Sequence, residues 1–271
     1  MAPIVDCHTH TRYSDGTGEV ADIVGAAAAA GCAVLALTDH LTLPRTMDPT
    51  CECSVPEADL ASRARDIDAA IATCGDGTPE VVHGYECDWY EGCERNIASW
   101  SRGATFRLGS VHWVAGGWID DPCDRHVWDE LGCDEVWRRY VDAWCAACES
   151  PARFDSMAHP DLARRWEREG YATTLDLAPL WERMATCAHD TGVHVEVSTA
   201  GLRKSVGGYY PAPGLLLAFR HAEVPITVGS DAHRPQDVCW GIRDAYAYAA
   251  AAGYASIDAP RTHGGWQTFE L

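Results

Sequence analysis

Lysine occurs once among the 271 residues, at Lys204, and basic residues of both kinds number 21 against 40 acidic ones. The resulting formal charge of −19 repels long polyanions, so no nucleic-acid partner is expected. The first residues have neither a basic start nor an apolar run of signal length. No window approaches the ~18 apolar residues of a membrane span. The expectation is therefore a soluble, cytoplasmic protein with no membrane partner. No linker-like stretch divides the chain, which is expected to form one domain over residues 1–271.

Cysteine is plentiful, at thirteen, but the number is odd and the residues are scattered. Cys7, Cys32, Cys87 and Cys187 fall inside predicted elements, where a thiol behaves as a small apolar group. A disulfide framework is not expected. Cys145-Ala-Ala-Cys148 and Cys51-Glu-Cys53 have suggestive spacing but no second pair to complete a site.

What is present is a repeating alternation. Strand-like apolar runs occupy Ile4–Cys7, Ala33–Leu37, Glu80–Tyr85, Phe106–Val111, Phe154–Ala158, Val193–Val197 and Pro225–Val228. Helical spacing occupies Glu19–Gly31, Glu57–Cys74, Trp137–Cys148, Leu175–Thr191, Pro213–Ala222 and Asp237–Ala252. A tryptophan-rich insertion runs from Trp113 to about Asp134. Seven strand–helix units imply an α/β fold with a mostly parallel sheet, and in barrels of this kind chemistry sits at the C-terminal strand ends.

Those ends share a composition. The first run leads into His8-Thr9-His10; period-two alternation puts both imidazoles on one face, with Cα atoms roughly 6.6 Å apart. The other runs lead to His40, Glu86, His112, His159 and Asp231/His233, and only one of the seven lacks such a group. Imidazoles and carboxylates repeated at one end of a barrel point to a metal site. His83, His194, His126, His189, His221 and His263 lack a partner at ligand spacing and are read as structural.

The segments His8-x-His10, Asp15-Gly16, Thr38-Asp39-His40, Gly84-Tyr85-Glu86, Gly109-Ser110-Val111-His112, His159-Pro160 and Gly229-Ser230-Asp231-Ala232-His233 resemble the PHP (polymerase and histidinol phosphatase) superfamily. The stretch Val197 to Lys204, followed by Tyr210-Pro211, is similar to its histidinol-phosphatase branch. The resemblance implies a distorted seven-stranded (β/α)7 TIM-like barrel. It also implies hydrolysis of L-histidinol phosphate, a step of histidine biosynthesis, through a metal-activated water. Three divalent ions are implied: one held by His8, His10, Glu86 and Asp231, a second by Glu86, His112 and His159, a third by Asp15, His40 and His233. The mixed donor set suits zinc, iron(II) or manganese.

The implied partner is a small phosphorylated substrate. Arg203 is the expected phosphate clamp, because guanidinium offers two parallel hydrogen bonds. Lys204 is expected beside it, with Arg164 or Arg165, and with Ser198, Thr199 and Tyr210 facing the pocket. Trp113 and Trp118 are placed to stack on a substrate ring. A nucleotide- or phosphotyrosine-directed phosphoesterase would keep the same ligands, and a metal-binding module without catalysis is a further alternative. Amidohydrolases also begin with His-x-His but commonly bridge their metals with a lysine; Lys204 lies beyond the sixth strand, in a loop, which disfavours that class.

Overall fold

A computed structural model describes residues 2–271. Its strands are β1 (Ile4–Asp6), β2 (Cys32–Leu37), β3 (Glu80–Asp88), β4 (Phe106–Ser110), β5 (Trp113–Val114), β6 (Gly117–Trp118), β7 (Ser156–Met157), β8 (His194–Ser198), β9 (Ile226–Gly229), β10 (Ser256–Pro260) and β11 (Trp266–Glu270). Its helices are α1 (Val20–Ala29), α2 (Leu60–Thr73), α3 (Glu94–Trp100), α4 (His126–Leu131), α5 (Cys133–Glu149), α6 (Ala178–Thr191), α7 (Pro213–His221) and α8 (Ile242–Ala251).

The large sheet is parallel throughout, in the order β1-β2-β3-β4-β7-β8-β9. Its two edges meet: the Cys7 N–H donates to the Val228 carbonyl at 3.0 Å, and Thr9 bridges Ala232. The result is a nearly closed seven-stranded barrel of unequal strands, β7 having two residues and β3 nine. A closed wall removes the exposed strand edges that an open sheet would leave.

Helices seal the outside. Along α5, Val136, Trp137, Tyr140, Val141 and Trp144 are buried at helical spacing, and each such side chain contributes on the order of 1.5–3 kcal/mol by leaving water. Arg63 of α2 is fully buried, and its guanidinium lies over the Tyr85 ring, 4.0 Å from the centroid. Its Nε donates to Asp39 at 2.6 Å and its Nη2 to the carbonyls of Leu37 and Gly84 at 2.9 Å each. Asp39 also takes the Thr11 N–H and hydroxyl, at 2.6 and 2.8 Å, which ties the tip of β1 to that of β2.

Several sequence expectations change. The insertion contains the β5–β6 hairpin and α4, and α5 begins at Cys133 rather than Trp137. The segment before β4 is helical (α3), and the last helix starts at Ile242 because Gly241, at φ 72°, breaks the chain from the preceding turn. After α8 comes an antiparallel hairpin, β10–β11, that the sequence reading left out. It covers the N-terminal mouth of the barrel, where Trp266 stacks on His194 with ring centroids 3.7 Å apart and Thr262 bonds Glu80. Among the described residues, no helix is long and apolar enough to cross a membrane.

Candidate metal centre

At the opposite mouth the interior side chains are polar. Period two continues past β1, so Asp6, His8 and His10 all turn inward; β3 contributes Glu86 and Asp88 in the same way. Gly229 of β9 leaves the room this requires. A Cβ there would lie 2.1 Å from Glu196 Oε1 and 2.5 Å from His8 Cβ. Gly16 does the same for the His10 turn, whose backbone would stand 2.7 Å from its Cβ.

Glu86 is the hub. Its Oε2 lies 3.0 Å from His8 Nε2, 3.4 Å from His10 Nε2 and 3.3 Å from His40 Nδ1. Its Oε1 lies 3.0 Å from His159 Nε2 and 3.7 Å from His112 Nε2. Asp231 Oδ1 faces His8, His10 and His233 at 3.6, 3.3 and 3.4 Å. Asp15 meets His233 Nε2 at 3.1 Å and His40 Nε2 at 3.9 Å. All nine expected metal ligands therefore converge.

The donors fall into four overlapping groups, within each of which the ligand atoms lie no more than 4.8 Å apart. These are His8/His10/Asp231, Glu86/His112/His159, His10/Asp15/His40/His233 and His40/Asp88/His112. The arrangement fits cations on its own chemistry. His8 Nε2 and His10 Nε2 face each other at 3.1 Å, and the buried atoms His10 Nδ1, His40 Nδ1, His159 Nδ1 and Asp88 Oδ2 have no hydrogen-bond partner. Buried polar atoms left so are costly unless an ion or water meets them.

Electrostatics follow from the crowding. Burial opposes the charge on Glu86, but His40 and His8 outweigh it and hold the carboxyl well below the usual range. Burial likewise opposes Asp231, where Lys204, His8 and His233 prevail in the same direction. Burial would lower His112, yet Asp88 and Asp120 raise it to about 9. Burial and the nearby His233 take His10 the other way, to about 4. Asp231 and His159 also adopt left-handed backbone, at φ 52° and 26°, a strain of about 1–3 kcal/mol each that the surrounding contacts must hold.

Two acids in this shell escaped the sequence reading. Glu196 Oε1 accepts from His8 Nδ1 at 2.9 Å, while Oε2 accepts the His159 N–H at 2.8 Å. Asp88 Oδ1 accepts from His112 Nδ1 at 2.7 Å. Each leaves the opposite ring nitrogen, Nε2, aimed at Glu86. The signals were there: Asp88 follows Glu86 at the same i+2 step as His10 follows His8, and Glu196 is a lone acid inside an apolar strand.

The expected substrate contacts divide. Lys204 Nζ lies 3.5 Å from Asp231 Oδ2, at the centre's edge. Tyr210 is fully buried with an unpartnered hydroxyl, its ring 6.3 Å from that of His159. Arg203 is not free to clamp with both arms. Its Nη2 donates to the carbonyls of Ser230 and Asp231 at 2.6 and 3.1 Å, which makes it a positioning residue for Asp231.

Arg164 is a strut, spent on Glu167, Asp161 and the Tyr209 carbonyl. Arg165 packs over Trp166 and donates to Ser205 at 2.8 Å. Ser198 Oγ receives the Ala200 N–H within its own turn, and the Thr199 hydroxyl donates to the Trp240 carbonyl at 2.8 Å, tying that turn to the segment before α8. Trp113 stands edge-on behind Trp118, and it is Trp118 that lines the cavity beside His112.

A parallel barrel with imidazoles and carboxylates gathered at its C-terminal mouth defines a metallohydrolase-type site. The PHP domain matches residues 6–200, and the chain belongs to that family. A Deinococcus radiodurans relative described as "Probable histidinol-phosphatase" is 29% identical over 256 residues, covering 90% of this chain and 92% of its own. Two solved structures share the fold. One is the Lactococcus lactis histidinol phosphate phosphatase in complex with zinc, L-histidinol and phosphate (TM-score 0.78, 17% identity, 98% of this chain and 99% of that one). The other, from Listeria monocytogenes and assigned as a histidinol phosphatase, has TM-score 0.78 and 19% identity over 89% of this chain and 99% of that one.

Proposed function

We propose that this chain is a metal-dependent phosphomonoesterase that hydrolyses L-histidinol phosphate to L-histidinol and phosphate. The observation that carries the reading is the ring of five histidines within 3.7 Å of the two Glu86 oxygens. The relative from Deinococcus, matched along nearly its whole length, supports the substrate.

Three divalent ions are assigned, to His8/His10/Glu86/Asp231, to Glu86/His112/His159 and to Asp15/His40/His233, with zinc, iron(II) or manganese as the metal. Bound there, the ions supply Lewis acidity toward a phosphoryl oxygen and lower the pKa of a water. The protein does the rest. Glu86 spans two of the groups and sets their separation. Glu196 and Asp88 hold His8 and His112 in the tautomer that leaves Nε2 free. Arg203 steadies the backbone of Asp231, and Lys204 adds positive charge where a phosphate dianion would sit. The Tyr210 hydroxyl, buried without a partner, has its ring 6.3 Å from that of His159. All thirteen cysteines are free thiols, which fits a reducing cytoplasm.

Phosphate release from L-histidinol phosphate, nucleoside monophosphates and phosphotyrosine, measured on protein of known metal content, tests this. Histidinol phosphate should have the highest kcat/KM. Preference for another ester, or no turnover by metal-loaded protein, would reject the assignment.

A further inference from the structure

A cavity of about 480 Å³ opens directly from the metal centre, with Asp15, His40, Asp88 and His112 along its inner side. Its outer side has a different character. Glu52, Asp120 and Asp121 supply carboxylates, and Leu43, Trp118 and Pro122 supply apolar surface. No lysine or arginine lines it among the described residues. Asp88 points the same way: it is 2% exposed, and its Oδ2 lies 3.6 Å from His40 Nδ1 without a hydrogen bond.

A wall of this sign repels the phosphate end of any ester, so that end must face the cations and Lys204. What the wall attracts is a positive charge on the leaving alcohol. We infer that the cavity selects phosphomonoesters whose alcohol bears an ammonium group, with Asp120 as the principal partner of that ammonium. Asp121 is the lesser candidate because its Oδ1 already takes the Cys123 N–H at 2.7 Å. Asp120 is half-buried, where a charge pair is screened less than on open surface. The Trp118 ring offers a flat apolar face beside it for the remainder of the alcohol.

This deepens the reading above and rests on it for the metal chemistry. L-Histidinol phosphate carries its ammonium two carbons from the ester oxygen, close enough to the phosphate for the two charges to meet the two sides of one cavity. The residue would thus decide specificity, by rewarding substrates of mixed sign and disfavouring purely anionic ones such as nucleotides.

The test uses two substrate pairs that differ only in the ammonium: L-histidinol phosphate against 3-(imidazol-4-yl)propyl phosphate, and 2-aminoethyl phosphate against ethyl phosphate. Wild-type protein should favour the ammonium-bearing member of each pair at least tenfold in kcat/KM. In Asp120→Asn, at matched metal content, that preference should shrink at least fivefold, chiefly through KM, and Asp120→Glu should keep it. Equal use of both members by wild type, or an undiminished preference in Asp120→Asn, overturns the inference. If histidinol phosphate is turned over without any preference, the wall fails and the substrate assignment stands. If histidinol phosphate is not hydrolysed but the aminoethyl preference collapses in the variant, the wall stands and the assignment fails.

Discussion

His8 Nδ1 donates to Glu196 Oε1 at 2.9 Å, and the second oxygen of the same carboxylate holds the backbone of His159. One acid on β8 therefore orients two imidazoles that approach Glu86 from different strands. Partners of this kind typically govern metal affinity by 10–100-fold. Glu196→Gln should lower affinity by about that factor while the fold persists, and competition with a chromogenic chelator measures it. Unaltered affinity would remove Glu196 from the centre.

Gly229 and Gly25 should respond to alanine in opposite directions. At Gly229 the new methyl overlaps Glu196 and His8, so destabilisation of about 1–3 kcal/mol is expected, together with loss of bound metal. Gly25 lies on the exposed side of α1 with nothing within 4 Å, where alanine should add about 0.5–1 kcal/mol. Thermal unfolding of the two variants, with metal analysis of the first, checks the pair.

Metal uptake should release protons. Burial disfavours charge on His8 and His40, but the acids around them raise both well above the ordinary imidazole value, and His112 is raised to about 9. At pH 7 the metal-stripped protein consequently holds these rings protonated, and cations must displace those protons. A pH-stat titration of stripped protein with zinc should record release at pH 7 that declines as the pH passes 9. Release that does not change between pH 7 and 10 would contradict the charge pattern described.

His83, inside β3 and away from the centre, is governed by burial first and Arg63 second, which lower it to about 4. A depressed imidazole contributes stability that is complete above the unfolded value near 6.5 and is lost as pH falls toward 4. The contribution is up to about 3 kcal/mol. His83→Phe should flatten the decline of Tm between pH 6.5 and 4; an identical decline in both proteins would show that His83 has no part in it.

The sequence reading located the barrel strands well because each is an apolar run bounded by turns. It did less well where packing sets the limits. The Phe154–Ala158 run pairs over only two residues, and β10–β11 was passed over although Gly264 and Gly265, at φ 85° and 83°, form its turn. The contacts of the basic residues are not legible in the sequence for a related reason. Arg164 and Arg203 are expected at the phosphate; in the folded chain Arg164 bonds the nearby Glu167 and, across the fold, the Tyr209 carbonyl, while Arg203 bonds the Ser230 and Asp231 carbonyls.

Residue order alone determined that His8, His10, His40, Glu86, His112, His159, Asp231 and His233 would share one end of the molecule. Parallel strands all run the same way, so groups placed just after each one must emerge at a common mouth. Only the folded chain decided how they are held and what they face. Glu196 reaches His8 across 188 positions, and the Asp120 wall meets the centre through the insertion's path. Such contacts depend on how strands twist and helices pack, and no local spacing encodes them.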